Sequence, residues 1–324
     1  MREFLGLLKE GNKSALMATV MNAIIAIIKT IAFFITGNVA MFAETMHSIG
    51  DTANQFFVFI GSALSKKSPT EKFPNGFARL VNLVLLGAVL IVGILAYETI
   101  REGVRHIIEP SESDTWFWLN IGVLGVAGIL EGVVLFKAMK EITSDMEGEQ
   151  IKGLRVIPES FKNIGNAKPA TKLVFLEDFV ATSGAFIAVL SIIIATYTPF
   201  HSAEGYASVL IGIMLFFVVG RVFLDNAAGV LGVADKEMEK RIGELVFQET
   251  HVKDIQELMV LKEGDELHVE LKVEFDPDMS IAKAAEVLDD IEKKVLRHKG
   301  VTDVIIESDK DDQIPHWKNK DVNK

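Results

Sequence analysis

Cysteine is absent from the 324 residues. That excludes disulfides, thiolate metal sites and cysteine nucleophiles, and leaves carboxylate and imidazole groups as the main chemical toolkit. Gly-rich phosphate loops, HExxH and GxSxG are missing too, so nothing nominates an ATPase, a metalloprotease or a serine hydrolase. The opening stretch MREFLGLLKEGNKSA is charged and lacks the short apolar run and small-residue cleavage site of a signal peptide, so the first apolar segment is expected to stay in the mature protein. No tandem repeat is evident. What the chain does have is 49% apolar residues together with 24% charged ones. That hydrophobicity exceeds what a soluble domain needs, so the two properties must be segregated, with one part of the chain in lipid and the other in water.

A spanning helix takes about 20 mostly apolar residues, and six stretches approach that length: 14–36, 39–64, 78–100, 115–138, 172–197 and 206–231. An even number puts both termini on one side. Lys and Arg concentrate in the leader (Arg2, Lys9, Lys13), the 2–3 loop (Lys66, Lys67, Lys72, Arg79) and the 4–5 connection (Lys137 to Lys172). The opposite side has only Arg101 and Arg105, so both termini are predicted to be cytoplasmic. From Asp235 the composition becomes that of a small soluble domain. A helical pattern (Met238, Ile242, Leu245, Val246) precedes two alternating runs, VKDIQELMVL and ELHVELKVEF, around the turn Glu263-Gly264-Asp265. A helix with Ser280 as N-cap and a last strand, VTDVIIES, follow. The expected organisation is a six-helix transmembrane domain over 1–234, a cytoplasmic α+β domain over 235–308 with helices on one face of a sheet, and a charged, disordered tail over 309–324.

Residues 235–324 hold 15 Lys plus Arg against 24 Asp plus Glu, nine of the eleven net negative charges. Nucleic acid needs clustered cations and is excluded as a partner on that ground.

The polar interruptions of the apolar segments are where function is sought. In the second, Glu44, His47 and Asp51 fall at i, i+3 and i+7, and Asn54 and Gln55 continue the stripe, so a helix sets them on one face. An ionisable group in a membrane costs about 2.5–3.5 kcal/mol on insertion scales and faces a bundle interior or a watery cavity. His47 and Asp51 are one turn apart, a spacing that lets imidazole nitrogen and carboxylate oxygen converge on one divalent ion. The fifth segment supplies Asp178, beside Glu177 and one turn before Thr182. One imidazole and two carboxylates suit zinc, iron(II), cobalt or manganese(II). The opposing reading is that these groups glue helices together by hydrogen bonds. Lys29 and Glu131 are expected to pair with Glu44 or with each other. His106, His201 and His316 are expected to be solvated.

With those residues quoted, the chain resembles the cation diffusion facilitator family of metal/proton antiporters. The likeness runs over nearly the whole chain and rests on AETMHSIGDTANQ in the second segment, KFPNGFAR before the third, LEDFVATSG in the fifth and GVLGVAD leaving the sixth. HSxxDTxNQ with LEDxxA is most similar to the branch that includes the mitochondrial zinc transporter and its bacterial relatives. The resemblance implies a homodimer, a ferredoxin-like cytoplasmic domain, and a tetrahedral metal site between helices 2 and 5 that opens alternately to the two sides of a bacterial inner membrane. His47 and Asp51 match the family's helix 2 pair. The helix 5 pair, usually HxxxD, is departed from: Asp178 takes either its second position, with Val174 in the first, or its first, with Thr182 in the second. His47, Asp51 and Asp178 are then the core ligands, and Glu177, Thr182, Glu44 or water are candidates for the fourth. The 2–3 loop offers Glu71 where the family has a histidine. The strands that carry a histidine-rich binuclear site in zinc-exporting relatives have Glu270, Glu307 and Asp309 instead, so any metal sensing there is expected to be weak and oxygen-ligated.

The expected function is export of a divalent transition metal, zinc foremost, in exchange for protons, with no enzymatic activity and no resident cofactor. Imidazole and carboxylate ligands can hold either the metal or protons, and that competition is the physical basis of the exchange. The alternatives are a manganese or iron(II) exporter, in which carboxylate or water replaces histidine and hardens the site, and a membrane-anchored metal sensor.

Overall fold

The computed structural model describes residues 2–74, 76–110, 116–144, 153–164, 169–264 and 266–317, with nothing said of the side chains of 2–5, 144 and 169–174. Val174 and Lys172 fall among these last, and Asp265 lies outside the described residues.

After a short amphipathic helix, α1 (Arg2–Glu10), come the long helices α2 (Lys13–Thr36), α3 (Val39–Leu64), α4 (Leu80–Ile108) and α5 (Phe117–Ser144). The short helix α6 (Val156–Asn163) separates them from α7 (Pro169–Tyr197) and α8 (Ala203–Leu231). By length and composition α2, α4, α5, α7 and α8 can each cross a membrane. The remaining helix, α3, has 26 residues and sufficient length, but Glu44, His47 and Asp51 interrupt its apolar character. It is the element whose polar face has to be enclosed by the others. Arg101, Arg105 and His106, expected in an outer loop, lie instead in the last turns of α4, where Arg101 pairs with Glu98 at 2.8 Å. His106 is buried there rather than solvated, with Nε2 3.9 Å from Glu204.

Residues 1–63 with 84–225 form one compact unit, and 64–83 with 226–324 a second. The first has a core of small and aliphatic side chains, Ala32 of α2, Met41 and Ala43 of α3, Ala96 of α4, Leu124 of α5, Ile192 of α7 and Ile211 of α8. Small residues let helix backbones approach closely where lipid supplies no hydrophobic contrast. Where α4 crosses α8, a Cβ on Gly103 of α4 would lie 2.8 Å from the Gly205 carbonyl oxygen of α8, and one on Gly205 would lie 2.8 Å from that of Gly103. The outward faces carry large exposed apolar side chains such as Met17, Phe34, Leu90, Trp118, Phe186 and Phe217, as a lipid-facing belt requires.

The second unit holds a four-stranded sheet in the order β1 (Val233–Ala234), β2 (Val252–Glu263), β3 (Glu266–Phe275), β4 (Val301–Lys310). β2 and β3 form an antiparallel hairpin, whereas β3 and β4 run parallel and are joined by the crossover helix α10 (Ile281–Val295). Alternation along β3 sends Leu267, Val269, Leu271, Val273 and Phe275 to one face, where they bury against Ile242 and Val246 of α9 (Lys236–Phe247) and Val287, Ile291 and Val295 of α10. Ser280 caps α10 by accepting from the Lys283 N–H at 3.3 Å. Within this unit Arg79 is ion-paired with Glu263.

The chain past β4 differs from expectation. β4 runs on to Lys310, and residues 311–317 return to the sheet, where they bond Phe275 and Asp254, rather than leaving it. The Asp311 N–H donates to the Phe275 carbonyl at 2.8 Å, and Trp317 joins the core beside Gly243, where no Cβ would fit.

Candidate metal centre

The polar stripe of α3 is built as the spacing requires. Glu44 and His47 are buried, at 0% and 4% exposure, on the inward face of the helix. Asp51, one turn after His47, is 40% exposed because it opens onto a small pocket of about 30 Å³ lined also by Asn54, Glu177 and apolar side chains of α4 and α8, among them Val89, Val92, Leu215 and Val219. That is room for an ion or for a water or two. His47 Nε2 lies 3.3 Å from Asp51 Oδ2. Two ligands about 2.1 Å from one tetrahedral ion are separated by roughly 3.4 Å, so the pair already has the spacing of two sites on one metal. Neither ring nitrogen of His47 has a hydrogen-bond partner.

α7 contributes the other carboxylates, and it divides them. Glu177 turns into the pocket, where Oε1 accepts a hydrogen bond from Asn54 Nδ2 at 3.3 Å. Asp178 does not line the pocket. Its Oδ2 is buried without a hydrogen-bond partner, as is Thr182 Oγ1, and its charge lies within electrostatic reach of Asp51, Glu131 and His47. His47 and Asp51 are therefore brought together, Glu177 faces them, and Asp178 and Thr182 stand beside that group. No three carboxylate or imidazole ligand atoms among these residues lie within 4.8 Å of one another.

Glu44, a candidate fourth ligand, is engaged elsewhere. Its Oε2 meets Lys29 Nζ at 2.9 Å, and the same ammonium reaches Glu131 Oε1 at 3.2 Å. Lys29 and Glu44 are both fully buried, so each charge persists in the bundle because the other is present. A Cβ on Gly184 of α7 would lie 2.5 Å from Glu44 Oε1, so a side chain there would require that carboxylate to shift.

In the second unit the positions expected to offer oxygen ligands do not form a cluster. Asp309 is taken by Lys272 at 3.0 Å, and that hydrogen bond holds the Asp309 carboxyl below the usual range and raises Lys272. Glu270 and Glu307 are exposed on the same face, and Glu71 is exposed in the α3–α4 loop. The titratable cluster that the described residues do form here, Asp254, Glu274 and His316, was not anticipated. Asp254 and Glu274 read in sequence as ordinary strand residues, and His316 as part of a tail.

Residues 15–230 match the cation efflux transmembrane domain, and residues 234–311 the cytoplasmic domain of cation efflux proteins. The human mitochondrial proton-coupled zinc antiporter SLC30A9 is 24% identical over 297 residues, 85% of this chain and 50% of that protein. The cation-efflux pump FieF of Klebsiella pneumoniae (strain 342) is 21% identical over 305 residues, covering 94% of both chains. The zinc transporter ZitB of Yersinia pseudotuberculosis is 23% identical over 231 residues, 70% of this chain and 65% of that one. The chain spans about half the length of the mitochondrial antiporters it matches. With an enclosed histidine–aspartate pair in a bundle of spanning helices, a cytoplasmic α+β unit, and family models that between them reach from residue 15 to residue 311, this integral membrane protein belongs to the cation efflux, or cation diffusion facilitator, family.

Proposed function

We propose that the protein is a secondary transporter, not an enzyme, that exports a divalent transition metal, zinc foremost, from the cytoplasm in exchange for protons. The observation that carries this reading is the His47–Asp51 pair: 3.3 Å apart, facing a pocket inside the bundle, with both imidazole nitrogens unpartnered. His47, Asp51 and Asp178 bind the ion, Glu177 or Thr182 completes the shell, and Glu44 is left to Lys29. Metal binding expels protons from imidazole and carboxylic acid, and reprotonation from a more acidic side expels the metal. The protein works as a homodimer in a bacterial inner membrane, with both termini in the cytoplasm.

The test is metal uptake into proteoliposomes containing a pH dye, comparing wild type with His47→Ala, Asp51→Ala and Asp178→Ala for zinc, manganese and iron(II). Zinc entry with opposed proton movement, abolished in all three variants, is the expected result. Equal flux in wild type and variants would remove the site, and tight binding without flux would favour the sensor reading.

A second reading, manganese or iron(II) as cargo, is favoured by the carboxylates Asp51, Glu177 and Asp178 that surround the single imidazole, since oxygen donors suit harder ions. Competition of each metal against zinc uptake at fixed pH separates the two.

A further inference from the structure

Asp254 of β2 and Glu274 of β3 are direct partners across the hairpin, and both are buried, at 7% and 0% exposure. Like charges at directly opposed strand positions are destabilising, and buried carboxylates need compensation. The register of β2 shifts between Val252 and Asp254, an irregularity of the kind that re-aims a side chain and recurs at functional sites. The remaining outward-facing residues of β3, from Glu266 to Lys272, are at least partly exposed, and Glu274 is buried because the chain after β4 crosses over it.

That crossing segment brings more acid and one imidazole. Asp254 accepts from the backbone N–H groups of His316 at 2.5 Å and Trp317 at 3.3 Å, which fixes the segment on the sheet. His316 Nδ1 then sits 3.4 Å from Asp254 Oδ2 and 3.9 Å from Glu274 Oε1, with no hydrogen-bond partner. Both Glu274 oxygens are buried and unpartnered. One ligand atom from each of Asp254, Glu274 and His316 lies within 4.8 Å of the other two, and Glu274 forms a second such group with Asp311 and Asp312. The nearby ammonium of Lys253 is 3.8 Å from Asp276. Burial, followed by the charges of Asp312, Asp254 and Asp311, pushes the Glu274 carboxyl above the usual range, with His316 opposing. Three carboxylates, those of Asp254, Glu274 and Asp312, thus lie within 4.0 Å of one imidazole, and Asp311 stands beside Glu274.

We propose that Asp254, Glu274 and His316 form a binding site for a divalent transition metal in the cytoplasmic unit, with Asp311 and Asp312 supplying further oxygens, and that the ion pins the segment 311–317 to the sheet. One nitrogen and two or more oxygens select zinc or manganese(II) over copper(I). The site uses none of Glu270, Glu307 and Asp309. It takes His316, Asp311 and Asp312 from past the last strand, so binding couples directly to the position of the segment 311–317.

The experiment uses the full-length protein in detergent. Zinc bound per protomer is counted after equilibrium dialysis, and the zinc-induced rise in Tm is followed in parallel. Glu274→Gln is made in wild type and in Asp51→Ala, so that the transport site is varied independently. Glu274→Gln is expected to remove one zinc per protomer in both backgrounds and to abolish the part of the Tm rise that survives Asp51→Ala. His316→Ala is expected to weaken the same binding by at least ~10-fold, since loss of even an outer partner of a metal ligand has that effect. Gln keeps the shape of Glu274 and removes a buried charge, so a metal-free Tm equal to or above that of the parent certifies the fold. Unchanged zinc counts in a Glu274→Gln protein that passes that check, or no zinc retained by Asp51→Ala, would overturn the proposal.

Discussion

Lys29 is fully buried in the helix bundle and is held between Glu44 and Glu131, at 2.9 and 3.2 Å. Removing one member of such a group costs about 3–5 kcal/mol, because the others are left buried and uncompensated. Lys29→Met is therefore expected to lower the Tm of the purified protein sharply, and adding Glu44→Gln and Glu131→Gln should restore much of it. Lys29→Met with an unchanged Tm would show that the group carries no stability. Gly184→Ala places a methyl 2.5 Å from Glu44 Oε1, and overpacking of this kind costs about 1–3 kcal/mol. Thermal unfolding should report the loss, and Glu44→Gln should not relieve it, since the clash is steric. At this scale the sequence was informative where titratable groups share a helix, because His47 and Asp51 four residues apart must face the same way. Which of Glu177 and Asp178 enters the pocket was not legible. Adjacent residues on a helix point about 100° apart, and only the packing of α7 against α3 selects one.

Among elements, the β2–β3 hairpin shows most clearly how local pattern and tertiary cover interact. Alternation predicted both strands, and their apolar faces bury as expected against α9 and α10. Asp254 and Glu274 are nonetheless both buried, where the chain after β4 meets them. The consequence is a pH dependence. The folded state holds Glu274 above its usual value of 4.5, chiefly by burial. Below that value the group is protonated whether the unit is folded or unfolded, and it costs nothing. As pH rises, the unfolded chain ionises first and folded stability falls. In chelator-treated protein the Tm of Glu274→Gln should therefore exceed that of wild type at neutral pH, with the gap closing as pH falls towards about 4.5. A gap that does not change with pH would argue against a perturbed carboxyl. Excess zinc should reverse the order at neutral pH, because only wild type gains the ion's binding energy.

For the whole molecule, the concentration of Lys and Arg in alternate connections predicts cytoplasmic termini, and the chain's lack of cysteine makes that orientation simple to test. Thr198→Cys, exposed after α7, should react with an impermeant maleimide added to intact cells, and Ser308→Cys, exposed on β4, only after permeabilisation. Labelling of Ser308→Cys in intact cells would invert the predicted topology and with it the proposed direction of transport. The charge division belongs to this scale as well. Nine of the eleven net negative charges lie after residue 234, where repulsion between carboxylates keeps the soluble unit hydrated and receptive to cations.

Sequence alone determined the long apolar helices, the two helices and three longer strands of the α+β unit, and that His47 and Asp51 share one helix face. Each of these follows from composition or from a spacing within one element, where backbone periodicity dictates which side chains share a face. Tertiary structure decided how Lys29 divides its charge between Glu44 and Glu131, which carboxylate of α7 meets Asn54, and that His316 lies over Glu274 instead of in solvent. These relations join residues 15, 102, 123 and 42 positions apart in the chain. No local period links such distances; packing of the folded elements does.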